Sequence, residues 1–115
     1  MLLASKLWND PTLRPLARLM RFLIPEGSKV VELGCGIGNL LAGLKPSVGI
    51  GVDFSPAVVE EARKRHPHLH FVLGDVEDPI VLAALDAPFD HIVLSDTIGA
   101  LDDCEATHLL LHRLC

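Results

Sequence analysis

The chain of 115 residues reads as an α/β fold, a doubly wound parallel sheet of four strands with flanking helices. Three observations predict it. Four short apolar runs rich in β-branched residues recur along the sequence. Helical segments with readable starts separate them. The runs are continuous in hydrophobicity rather than alternating, which suits parallel strands covered on both faces. Strand and helix alternating in this way imply right-handed crossovers in one sheet.

Element by element, the first helix falls over residues 10–25. Thr12 as its cap places Pro15 at the third helical position, where a missing N–H costs nothing. Leu13, Leu16, Ala17, Met20, Leu23 and Ile24 then form an apolar stripe, with Arg14, Arg18 and Arg21 largely on the other side. The strands are expected at Lys29–Leu33, Val48–Val52, Leu69–Leu73 and His91–Leu94. Between them, Asn39–Leu44 forms a short helix, and Ser55-Pro56 and Asp78-Pro79 open two more. In each pair a side-chain acceptor caps the helix and proline at its first position loses no hydrogen bond. Asp102 and Glu105 form a capping-box pattern that starts a last helix running to Cys115.

Composition narrows the function classes. Half the residues are hydrophobic and 22% are charged, which excludes a disordered chain. Three cysteines are too few, and odd in number, for a disulfide scaffold. No segment reaches the ~20 uninterrupted apolar residues of a membrane span, and Met1–Ala4 is too short for a signal peptide, so an intracellular, cytoplasmic setting is expected. Fifteen acids against ten bases give a net charge of −5, split as +3 over residues 1–29 and −8 over 30–115. That acidic bulk opposes nucleic acid as a partner.

In open parallel sheets ligands bind outside the carboxyl ends of the strands. The first strand runs into Gly34-Cys35-Gly36-Ile37-Gly38 and then a helix, so the backbone can turn tightly and approach a ligand. The second strand ends in Gly51-Val52-Asp53, where a carboxylate can accept two hydrogen bonds from ribose hydroxyls. The third ends in Gly74-Asp75-Val76 and the fourth in Ser95-Asp96-Thr97. A dinucleotide fingerprint places its third small residue where this chain has Asn39, which counts against a nicotinamide cofactor and an oxidoreductase.

Residues 28–101 resemble the class I S-adenosylmethionine-dependent methyltransferases. Val30–Gly38 looks like the family's first motif, with Glu32 two residues before the first glycine. Gly51–Ser55 looks like the segment whose acid binds ribose, and Gly74–Val76 like the segment that meets adenine. Phe89–Asp96 looks like the fourth motif, which faces the methionine part and the substrate; it lacks the Asn/Asp-Pro-Pro-Tyr signature of nucleobase methylation. The resemblance implies a Rossmann-like sheet in the order 3-2-1-4 and S-adenosyl-L-methionine as cofactor. It implies Glu32, Gly34, Cys35, Gly36, Gly38, Asp53, Phe54, Asp75, Val76 and Ser95 as cofactor-binding residues. Asp96 is the one catalytic candidate, as a base or a substrate contact. A small-molecule acceptor is expected, with a non-catalytic cofactor-binding subunit as the alternative.

The family's sheet normally has seven strands, and the last three have no counterpart here. The expectation is a truncated domain with its fourth strand a bare edge, inviting self-association or a partner subunit. Other clusters carry less. His66, His68 and His70 alternate beside Pro67, which favours a loop over a metal site, and His108 and His112 lack a third ligand. Cys35 has no neighbouring base, and His91 falls inside a strand.

Overall fold

The computed structural model describes residues 2–5, 14–86 and 88–95. Its elements are β1 (Leu2–Ser5), α1 (Arg14–Leu23), β2 (Lys29–Leu33), α2 (Asn39–Gly43), β3 (Val48–Asp53), α3 (Pro56–Arg65), β4 (His70–Leu73), α4 (Pro79–Ala83) and β5 (His91–Ser95). The strands form one sheet in the order β1-β5-β2-β3-β4, with every pairing parallel. The four expected strands thus lie in the expected order. Thr12, proposed as the first cap, and the last helix lie outside the described residues.

One expectation is overturned. The fourth predicted strand, β5, has no bare edge, because β1 pairs along it from Leu2↔Ile92 to Ser5↔Ser95. The sheet therefore has five strands, not four. The premise for self-association or a partner subunit at that edge falls with it.

Successive residues of each strand point to opposite faces, so a continuous apolar run feeds two cores. Val30 and Val93 join Met20, Ile24, Leu40, Leu41, Val59 and Ala62 on the face covered by α1, α2 and α3. Val31, Leu33, Ile50, Val52, Ile92 and Leu94 join Leu82, Leu85 and Phe89 on the face covered by α4. Leu23, expected in the stripe of α1, is 39% exposed, since Met20 and Ile24 define the buried line and Leu23 lies at its margin.

The helix starts follow their capping residues. The Ser55 hydroxyl accepts from the Val58 N–H at 3.4 Å, and the Asp78 carboxylate accepts from the Ile80 N–H at 2.9 Å. Arg63, Lys64 and Arg65 occupy the last turn of α3, where positive charge meets the negative end of the helix dipole. Arg65 also pairs with Glu61 at 2.8 Å, and this bond holds the Glu61 carboxyl below its ordinary range. At the amino end of the sheet, Lys29 and Asp90 exchange two hydrogen bonds, Lys29 N to the Asp90 carboxylate at 2.8 Å and Asp90 N to Lys29 O at 2.8 Å. That clasp aligns β2 with β5 and leaves the opposite, carboxyl end to carry the site.

Candidate functional site

The register sets Leu33 beside Val52 and Leu94, and Asp53 beside Leu73. The residues that follow these strands therefore share one rim. At its centre is the loop Gly34–Gly38. Gly34 and Cys35 both donate their N–H to Val52 O, at 2.7 and 3.1 Å, which folds the chain back over the end of β3. Gly34, Gly36 and Gly38 hold φ of 78°, 56° and 85°, the left-handed region that glycine enters without penalty. Their alternation in the sequence is thus a backbone requirement.

Asp53 fastens this loop. Its Oδ2 accepts from the Gly36 N–H at 3.0 Å and its Oδ1 from the Ser55 N–H at 3.1 Å. Each carboxylate oxygen has a second lone pair to offer a ligand. Next along the rim, Gly74 N donates to Asp53 O at 2.9 Å, bringing Asp75 alongside. The Asp75 carboxylate accepts from the Glu77 N–H at 2.9 Å, closing a turn into α4. Phe54 stands 80% exposed at the rim, whereas Val76 is half-buried against the face covered by α4.

Below the rim the site is packed. Glu32 is only 1% exposed, so its carboxylate lies in the interior of the sheet end and not on the open surface. Cys35 is also buried; desolvation, then the neighbouring charges of Glu32 and Asp53, push its thiol well above the ordinary range. A protonated, shielded thiol is no nucleophile, which agrees with reading Cys35 as a space-filling residue. Among the described residues no group of three or more His, Cys, Asp or Glu is arranged to hold a metal ion.

Two contributors were not legible in the sequence. The Phe71 ring lies beneath both Gly38 and Gly51: a Cβ at either glycine would come within 2.6 or 2.8 Å of it. Gly49 and Gly51 alternate on one face of β3, the signal that something bulky closes on that face. The second is His66, whose Nε2 lies 3.0 Å from Asn39 Oδ1, across 27 residues. Ser95 is the last residue of β5 and lies on the rim by its backbone register, and Asp96 lies outside the described residues.

Gly36 differs from Gly38, for a Cβ there would meet nothing within 4 Å. Its backbone borders open space beside the Asp53 carboxylate, and the exposed Phe54 follows Asp53 in the chain. Such a cradle, with a hydroxyl-accepting acid and an aromatic face, fits a nucleoside carrying a short polar chain.

The sequence profile of the methyltransferase domain family matches residues 30–114. The chain is 40% identical over 74 residues to a trans-aconitate 2-methyltransferase of Variovorax paradoxus, spanning 60% of this chain and 29% of that protein. It is 37% identical over 91 residues to an enzyme of the same name from an Acidovorax species, spanning 75% of this chain and 35% of the relative. The chain thus spans about a third of the length of the curated relatives it matches. A TehB-like S-adenosylmethionine-dependent methyltransferase from Corynebacterium glutamicum superposes with a TM-score of 0.71 at 26% identity, over 90% of this chain and 61% of that one. Glycine loop, acidic rim, sheet order and profile agree, and the chain belongs to the methyltransferase domain family, in the class I S-adenosylmethionine-dependent group.

Proposed function

We propose that this chain binds S-adenosyl-L-methionine in the Gly34–Gly38 cradle and serves methyl transfer to a small-molecule acceptor. The observation that carries the reading is the Asp53 carboxylate, bonded to the Gly36 N–H beside a backbone that borders open space. In this reading Asp53 accepts the ribose hydroxyls, Phe54 and Val76 flank the base, and Asp75 meets the adenine amino group. Gly34, Cys35, Gly36 and Gly38 supply the close backbone approach. Glu32, from beneath, adds negative charge under the methionine end, and Ser95 closes the rim beside it.

The cofactor, when bound, supplies an activated methyl group on a sulfonium, so the hard chemistry is its own. The chain's residues hold it in one orientation, and the rim carboxylates of Asp53 and Asp75, with Glu32 buried beneath them, favour a ligand with positive charge at sulfur. A protein base is needed only for an acceptor that is protonated and weakly acidic; Asp96 is the residue proposed for that role or for a contact to substrate. Two of the relatives carry the name trans-aconitate 2-methyltransferase, so a small polycarboxylic acid is the first acceptor to test.

Calorimetric titration with S-adenosylhomocysteine tests the reading. The wild-type chain binds it and does not bind NAD, and Asp53→Ala weakens binding by more than about tenfold, the loss of two hydrogen bonds to a charged group. Unchanged affinity in Asp53→Ala removes Asp53 from the site. Binding without turnover over a panel of carboxylic acid, phenol and amine acceptors leaves a cofactor-binding module.

A further inference from the structure

The glycine loop is held at its entry by Val52 O and at its middle by Asp53. Its exit needs separate support. Gly38 is the N-cap of α2 and, having no side chain, leaves that helix start without a side-chain capping bond. A five-residue helix has little stability of its own. The Phe71 ring supports Gly38 from beneath, and the polar contact to the exit comes from the far end of α3. His66 closes that helix, its N–H bonded to Ala62 O at 2.9 Å and its carbonyl accepting from the Leu69 N–H at 3.1 Å. Its backbone is thereby pinned on both sides. Its ring reaches the exit twice: Nε2 meets Asn39 Oδ1 at 3.0 Å, and Cδ2 would lie 3.4 Å from a Cβ on Gly38. His68 meets the same ring edge-on, with centroids 6.1 Å apart.

We propose that His66 is a positioning residue for the glycine loop: through Asn39 it fixes the loop's exit against α3 and so sets how tightly the cofactor is held. The inference rests on the reading of the loop as the cofactor cradle. Desolvation first, then the charges of His68 and Arg65, hold the imidazole below its ordinary pKa, so near neutral pH it is uncharged. An uncharged ring with its proton on Nε2 is the donor that the Asn39 oxygen requires. No group here touches the reacting methyl, so the effect falls on binding and not on the chemical step.

The test uses the full chain. Amide hydrogen exchange without cofactor is followed over residues 36–42 in wild type, His66→Ala, Asn39→Ala, the double variant and His66→Gln, alongside calorimetric titration with S-adenosylhomocysteine. Glutamine places an amide donor close to the position of Nε2. The expected result is faster exchange confined to 36–42 in both alanine variants, and a dissociation constant raised about threefold to tenfold, as befits one net hydrogen bond. The double variant is no weaker than either single one, and His66→Gln regains most of the affinity. With an active acceptor in hand, KM for the cofactor rises while kcat holds. Exchange and affinity within twofold of wild type in His66→Ala overturn the proposal, as do additive losses in the double variant or equal losses in Ala and Gln. Failure of wild type to bind the ligand, with loop exchange still accelerated in His66→Ala, instead overturns the cradle reading and leaves the tether standing.

Discussion

Gly36 and Gly27 form a matched pair. Both hold left-handed φ, 56° and 82°, and at both a Cβ would meet nothing within 4 Å. Gly27 precedes β2, with its N–H bonded to Lys45 O, whereas Gly36 follows β2 in the loop proposed as the cradle. Alanine at either position costs about 1–2 kcal/mol of left-handed strain, offset by about 0.4–1 kcal/mol from a stiffer unfolded chain. The net destabilisation is about 1 kcal/mol. For 115 residues unfolding with about 2.1 cal/mol/K each, that lowers Tm by about 4 °C in both variants. Thermal unfolding followed by circular dichroism reads this loss. Calorimetric titration with S-adenosylhomocysteine then separates the two. At Gly36 the added methyl stands where the ligand must approach the backbone, and affinity falls by about tenfold or more, equivalent to about 1.4 kcal/mol. At Gly27 affinity is unchanged. Equal affinities in the two variants, at matched Tm, would refute the assignment of this loop as the cradle.

Two further outcomes follow from titration. The Cys35 thiol, raised by burial and by nearby carboxylates, stays unmodified when the native chain is treated with iodoacetamide at about pH 8, and reacts once denatured; peptide mass spectrometry decides, and rapid labelling of native Cys35 contradicts the buried placement. Burial holds His91 below its ordinary pKa of 6.5, with Asp90 pulling the other way. The unfolded chain then binds more protons, so this part of the stability is present above pH 6.5 and is lost as pH falls through that region. His91→Gln flattens the dependence of Tm on pH between about 7.5 and 5.5; an unaltered slope rules His91 out as its source.

The strands of the central sheet and the capped helices were legible because their signals are local. Ser55-Pro56 and Asp78-Pro79 announce two helix starts within a few residues, and Lys29–Leu33 is both apolar and β-branched enough to stand alone. The rim was legible because a turn with three positive φ angles needs its glycines. What escaped depends on distant partners. Leu2–Ser5 is four residues long and holds no β-branched side chain; it becomes a strand only because β5 offers it an edge. His66 reads as one of three alternating histidines, and nothing near it in the chain points to Asn39. Phe71 looks like any strand aromatic until Gly38 and Gly51 are seen to have ceded it their space.

The pairing of β1 with β5 also has a bearing on the order of assembly. Strands β2, β3 and β4 meet one another across about twenty residues and β5 reaches β2 across about sixty, whereas Leu2 must find Ile92. Closing so long a loop carries the largest entropic cost in the sheet and belongs among its slowest steps. During synthesis the residues of β1 wait for nearly all the described chain before β5 gives them a strand to pair with. Folding therefore proceeds from the centre of the sheet outward, and β1, which precedes the other four strands in the chain, is the last of them to be seated.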